Sequence, residues 1–190
     1  KDQIDLLRQV ARQTWGFFER FAGPEDHWLP PDHFQEYPVG IIAHNTSPSN
    51  IGLLLTSTLA AYDFGYLDHL GLATRLTTTI DTLSHLERFR GHFLNWYDTI
   101  TLQPLRPRYI STIDSGNLAA CLTIVAQACQ SMPDEHLFRW ELWQGYQDSL
   151  SILSAVLDDF HKEGDLRQVD NIKESIHHML QRITAQESNP

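Results

Sequence analysis

The chain has 190 residues, 42% hydrophobic and 20% charged, an ordinary globular composition with enough length for one domain with a real core. A formal net charge of −10 argues against nucleic acid or an anionic membrane surface as a partner, because both call for a basic footprint. No apolar run reaches the roughly 18 residues of a membrane span, so no direct membrane insertion is expected, and no signal peptide is visible.

The elements follow in chain order. Ile4 to Phe21 places Leu7, Val10, Ala11, Phe17, Phe18 and Phe21 on one buried helical face. Gly23 and Pro24 stop this helix, and a polar, proline-rich stretch runs to Pro48. Ser49 opens a second helix, to about Phe64, that is apolar nearly all round and therefore buried on most sides. A third helix follows Gly65 at once, from Leu67 to Arg88, with Leu70, Ala73, Leu76, Ile80, Leu83 and Leu86 on one face. Phe89 to Ile113 is non-helical; its centre, Phe93 to Leu105, reads as a small β-hairpin turning at Asp98–Thr99.

Asp114 or Ser115 caps a fourth helix, apolar all round and ended by Pro133. It carries both cysteines, Cys121 and Cys129. Two helical turns, about 12 Å, separate them, too far for a disulfide. They read as small buried hydrophobes of a reducing compartment. Two amphipathic helices finish the chain, Asp134 to His161 and Leu166 to Ala185, the last with Val169, Ile172, Ile176, Met179 and Ile183 at helical spacing. The polar end, Gln186 to Pro190, reads as disordered. Lys1 rather than Met opens the chain, so the expectation is a single helical domain, 1–190, excised from a larger multidomain protein.

Long loops follow the first and third helices, and short turns follow the second and fourth. Helices joined by short turns run antiparallel. Both long loops then lie at one end, beside the N-termini of the two all-round apolar helices. The fold class is mainly α: antiparallel helical hairpins forming part of an (α/α) toroid. Two inner helices are too few to close a ring.

That end gathers Glu25, Asp26, His27, Trp28, Asp32, His33, Glu36 and His44 from one loop. The other supplies Asn95, Trp96, Tyr97, Asp98, Arg106, Arg108, Tyr109 and Asp114. Aromatic faces with acceptors between them suit a sugar, whose C–H face stacks while its hydroxyls bond. Each residue also has a plainer reading. Trp28 and Trp96 can simply close the core, Asp114, Ser115 and Thr46 to Asn50 can be N-caps, and Asp26 and Glu36 can be solvated loop acids. The histidines lack a helical pair with an acid, so no metal and no cofactor is expected. Glycoside cleavage needs two carboxyl groups about 5–9.5 Å apart. Asp26, Asp32, Glu36, Asp98 and Asp114 are the acids at hand, with Asp98, Asp114 and Glu36 the catalytic candidates.

The stretches TWGFFERFAGPEDHWLPPDHFQEYPVGIIAHNTSPSNIGLLLTSTLAAYDFGYL and RFRGHFLNWYDTITLQPLRPRYISTIDSGNLAACL closely resemble the cyclic β-1,2-glucan synthases. The similarity covers about Leu6 to Cys121; beyond Met132 the match is to generic helices. Asn45 stands where the family usually has Arg. The resemblance implies a piece of a large bacterial inner-membrane protein, on the cytoplasmic side, where a glycoamylase-like transglycosylase region begins after the membrane glycosyltransferase. It implies a surface facing a β-1,2-glucan chain, made of Trp28, Glu36, His44, Thr46, Ser47, Asn50, Trp96, Tyr97, Asp98, Arg108, Tyr109, Asp114 and Asn117. It also implies that the family's catalytic carboxylates lie downstream, so that this chain alone is inactive. Neighbouring domains of the parent are the other expected partners. The alternative is a structural module that docks those domains, or self-associates through exposed inner helices, with no sugar contact.

Overall fold

The computed structural model describes residues 3–132, 136–137, 139–163 and 167–187. Six helices form it: α1 (Gln3–Phe21), α2 (Pro48–Asp63), α3 (His69–His85), α4 (Thr112–Ser131), α5 (Trp140–Glu163) and α6 (Arg167–Glu187). Six two-residue strands punctuate the long loops: β1 (Phe34–Gln35), β2 (Ile41–Ile42), β3 (Asn45–Thr46), β4 (Arg88–Phe89), β5 (His92–Phe93) and β6 (Tyr97–Asp98). The expectation of a mainly helical chain with small β elements holds.

The core is built on α2 and α4. Ser49 Oγ accepts from Asn117 Nδ2 at 2.9 Å, Gly52 lies against Leu118 and Cys121, and Leu59 and Tyr62 share a cavity wall with Ala128 and Met132. Contacts rise together along both chains, so the two helices run parallel with their N-termini side by side. Gly52 permits this, since a Cβ there would stand 3.0 Å from Cys121 Sγ. Around the pair, Leu55, Leu72, Leu76, Leu83, Leu86 and Leu94 form one buried cluster. α1 and α3 run antiparallel to α2: Arg8 Nη2 donates to Phe64 O, and the Tyr62 hydroxyl meets His69 Nε2 at 2.8 Å.

The starts of α2, α3 and α4 fall within a turn of those expected from sequence, whereas α5 begins at Trp140, six residues after the expected Asp134. α2 is capped by Ser47, whose side chain accepts from Asn50 N, with Pro48 in the first helical position. α4 is capped by Ser111, which accepts from Asp114 N. Asp114 therefore sits in the first turn and Ser115 beyond it, so neither is the cap. Asp68 caps α3 through Gly71 N.

Several faces also differ. Leu7 and Val10 of α1 are exposed, and Trp15 is its buried residue. On α3 the buried row is Leu72, Leu76, Thr79 and Leu83, while Leu70 and Ile80 face outward. Buried Thr79 and Thr82 carry polar groups that bond the first loop, so hydrophobicity alone misplaces this face. α4 buries only Leu118 and Val125; Ile113 is 75% exposed and Ile124 54%. Cys121 is half-buried and Cys129 exposed, which corrects the expectation that both are buried. On α6, Ile176 and Ile183 pack with Leu150 of α5, but Ile172 and Met179 are exposed. The expectations on Pro133, Asp134, the Val169 side chain and the terminal residues fall outside the described residues.

α5 does not continue beside α4. Its start crosses the α2–α3 turn so closely that a Cβ on Gly65 (φ +78°) would meet Glu141 O at 1.7 Å. α5 then lies along α1: Arg8 Nε contacts both oxygens of Asp148 at 3.1 and 2.9 Å, and Arg12 Nε donates to Ser149 Oγ. Among the described residues, nothing covers one flank of α4, where Ile113 and Ile124 are exposed.

The hairpin centred on Asp98 is present in part. Asp98 N donates to Gln103 O, Leu105 N to Trp96 O, and Tyr97 bridges Pro104. A second hairpin, β4–β5, turns through Arg90 and Gly91, both at positive φ. β6 pairs with β3 of the other loop, Asn45 opposite Asp98 and Thr46 opposite Tyr97. The two long loops are thereby joined at the end that holds the N-termini of α2 and α4.

Candidate functional site

Two polar clusters stand at the joined loops. The first centres on Asn95, which is 5% exposed. Its backbone N–H donates to Tyr109 O at 2.9 Å. In the amide orientation that satisfies its neighbours, Nδ2 donates to Asp114 Oδ2 at 2.9 Å. Oδ1 then accepts from Trp96 Nε1 at 2.6 Å and from the Tyr109 hydroxyl at 2.7 Å. One buried amide thus holds an indole, a phenol and a carboxylate together at the N-terminus of α4. Tyr109 is 47% exposed, and Trp96 and Asp114 are half-buried.

The second cluster centres on Asp26, whose side chain is 7% exposed against 42% for His44. Asp26 Oδ1 accepts from His44 Nδ1 at 2.7 Å and from the Thr99 hydroxyl. Thr99 N donates to His44 O, and Thr99 O contacts His27 Nδ1 at 2.9 Å. His27 and Trp28 both adopt left-handed backbone, φ 53° and 61°, a conformation unusual for non-glycine residues. It is held by Trp28 N donating to Gly23 O, and by Thr82 and Thr79 of α3 donating to the carbonyls of His27 and Trp28.

The remaining candidates divide by environment. Trp28 lies 5.6 Å from the Arg75 guanidinium, which stands 5.0 Å from Trp15 on its other contact. Burial pulls the Arg75 pKa down. Tyr97 is fully buried; its hydroxyl donates to Glu87 O and accepts from Leu94 N, and burial pushes its pKa up. Thr46 is buried beside it and Ser47 is committed as a cap. Asn50 Nδ2 donates to Asp32 Oδ1, and Asn117 bonds Ser49. Arg108 pairs with Glu87 on the surface, and Glu36 is exposed on the β1–β2 connection.

Asp98 accepts from the N–H groups of Thr101 (2.7 Å) and Ile100 (3.0 Å) and from the Thr101 hydroxyl. The Thr101 N–H foremost, with Ile100 and the nearby His44 adding to it, holds this carboxyl below the usual range despite partial burial. Such a group stays ionised near neutral pH, which suits accepting hydrogen bonds and not donating a proton to a leaving group.

From sequence, Asn95 is one of the polar residues gathered at this end, and Asp26 is either an acid available for glycoside cleavage or a solvated loop acid. The structure makes each the hub of a cluster. Asn95 lies between β5 and β6, and its partners Tyr109 and Asp114 are 14 and 19 residues further along the chain, so local pattern does not reveal them. Among the described residues no helix is long and apolar enough to cross a membrane.

No protein-family model matches the chain. Over 162 residues, 84% of its length, it is 40% identical to the cyclic beta-(1,2)-glucan synthase NdvB of Rhizobium meliloti (strain 1021). That stretch is 6% of the relative's length. Among solved structures, glucoamylase-like proteins of Bacteroides fragilis NCTC 9343 and Bacteroides caccae ATCC 43185 align with 92% and 94% of the chain. They do so over 35% and 36% of their own lengths, at 19% and 16% identity and TM-scores of 0.45 and 0.46. The resemblance carried by the two loop motifs therefore holds across most of the chain, which is similar in sequence to one segment of a cyclic β-1,2-glucan synthase.

Proposed function

We propose that the chain is part of the transglycosylase region of a cyclic β-1,2-glucan synthase and presents a β-1,2-glucan-binding surface at its joined loops. The observation that carries this reading is the Asn95 hub. It fixes two aromatic side chains and a carboxylate beside one another, the combination that binds a sugar by C–H stacking and hydroxyl acceptance. In the parent, α2 and α4 would be inner helices of an (α/α) ring, on the cytoplasmic side of the inner membrane. The parent reaction would break and remake β-1,2-glucosidic bonds. The isolated chain binds without turnover, because the catalytic carboxylates of such synthases lie in downstream segments.

Titration with linear β-1,2-glucooligosaccharide, followed by tryptophan fluorescence, tests this. Saturable change is expected, lost in Trp96→Ala while the helical circular dichroism persists. No change at millimolar sugar overturns the glucan-facing role.

A second reading has its own support. From Ser115 to Ser131 α4 carries no charged residue, although much of it, including Ile124, is exposed. A helix bathed in water ordinarily carries charge on that side. An interaction module, docking neighbouring domains of the parent or another copy, would cover this flank. Light scattering of the wild type and Ile124→Glu tests self-association; a wild type monomeric at high concentration counts against it.

A further inference from the structure

The Asp26–His44 pair lies where the first loop meets the second, and its two partners differ in exposure. The carboxylate is nearly sealed from solvent, while much of the imidazole is open. His33 and Asp32 also contact one another, but both are solvated and adjacent in sequence. A desolvated carboxylate needs donors. Asp26 Oδ1 has the Thr99 hydroxyl and His44 Nδ1, so Nδ1 must carry a hydrogen. In a neutral imidazole the other nitrogen, Nε2, is then an acceptor.

The backbone fixes the ring as well. His44 O accepts from Thr99 N, and the next residue, Asn45, pairs with Asp98. The charged and titratable groups around His44 are Asp26, in a single 3-10 turn (Pro24–Asp26), His27, which ends that turn, and Asp98 from β6.

We infer that Asp26 is a positioning residue that holds His44 as the Nδ1-protonated tautomer, so that Nε2 accepts a hydrogen bond from a hydroxyl of the bound sugar. This rests on the glucan reading above and deepens it by assigning one contact. The chemistry that Nε2 recognises is an uncharged polyol, whose hydroxyl donates to a neutral acceptor.

Long-range 1H–15N spectra of the wild-type chain at neutral pH read the tautomer directly. His44 is expected to show Nδ1–H and an unprotonated Nε2, and linear β-1,2-glucooligosaccharide is expected to shift Nε2 more than Nδ1. His44→Asn retains a donor where Nδ1 stood and deletes Nε2. It should keep the wild-type melting temperature and weaken sugar binding about tenfold, the loss of one hydrogen bond. A hydrogen on Nε2, in the other tautomer or in an imidazolium, or wild-type affinity in His44→Asn, overturns the inference while leaving the glucan reading in place. Absence of sugar binding by the wild type overturns the glucan reading and this contact with it. Should His44→Asn fail to fold, the wild-type tautomer and the sugar-induced shift still decide.

Discussion

A Cβ on Gly52 would stand 3.0 Å from Cys121 Sγ and 3.2 Å from Cys121 Cβ, so the parallel approach of α2 and α4 depends on that missing atom. Two effects oppose each other in Gly52→Ala. Alanine favours a helix over glycine by about 1 kcal/mol, while crowding a packed interface costs about 1–3 kcal/mol. Gly52 is buried and the Leu118 backbone stands 3.5 Å from the same Cβ, so crowding is expected to win, by about 1 kcal/mol in urea unfolding. Cys121→Ala removes the nearer atom. In that background Gly52→Ala should cost less, and a double-mutant cycle gives the coupling.

Asp98 predicts a pH dependence. Its folded pKa is depressed, chiefly by the Thr101 N–H. A depressed carboxyl contributes stability above its unfolded value, about 3.9, and loses it as pH falls through the lower folded value. Wild type should therefore be more stable than Asp98→Ala at neutral pH, and the gap should close below about pH 4. Paired denaturation curves across pH 2–7 check this, in roughly that range. A gap that widens on acidification removes the assigned cause.

How much of this was legible in the sequence depends on the range of the interaction. The α2 and α4 helices, their apolar character and the gathering of both loops at one end follow from local pattern and connector length. The two hubs do not. Asn95 is bonded to Asp114, which is in another element, and Asp26 to Thr99, across the join between the loops. Local sequence carries no mark of such pairings. The misread α3 face has a similar origin, because Thr79 and Thr82 are buried for their bonds to Trp28 and His27 carbonyls. The exposure of α4 has another: its composition suits an inner helix, but α5 turns away to α1.

Tyr66 fixes the alkaline limit. Its single hydroxyl hydrogen is shared between two acceptors, Arg8 O at 3.1 Å and Asp148 Oδ2 at 3.0 Å. Burial first, then the Asp148 charge, raises its pKa well above the ordinary tyrosine value, although Arg8 and Arg12 oppose this. A raised folded pKa favours the fold below the unfolded value, about 10, and that contribution is lost as pH climbs toward the folded value. The α1–α5 contact should loosen above about pH 10. Tyr66→Phe should make alkaline unfolding less steep, read by circular dichroism, at a neutral-pH cost of about 1 kcal/mol for the lost bonds. Equal steepness in both proteins would place the alkaline transition elsewhere, with Tyr97 the next residue to replace.

Asn95 offers the sharpest separation of structure from recognition. Asn95→Ala leaves Asp114 Oδ2, Trp96 Nε1 and the Tyr109 hydroxyl without their shared partner. Orphaned polar groups cost about 1–3 kcal/mol each where water cannot reach them. Tyr109 is partly solvated and can recover a bond, so a loss of about 2–3 kcal/mol in total is expected. Tyr109→Phe removes one partner and leaves the amide its other two, so about 1 kcal/mol is expected there. The two variants should differ at Trp96, whose indole N–H bonds the Asn95 amide and not Tyr109. Asn95→Ala frees the indole N–H and should shift Trp96 emission without sugar present. Tyr109→Phe should leave that emission unchanged and weaken the fluorescence response to β-1,2-glucooligosaccharide. Equal emission shifts in the two variants would mean that Tyr109, and not the Asn95 amide, holds the indole in place.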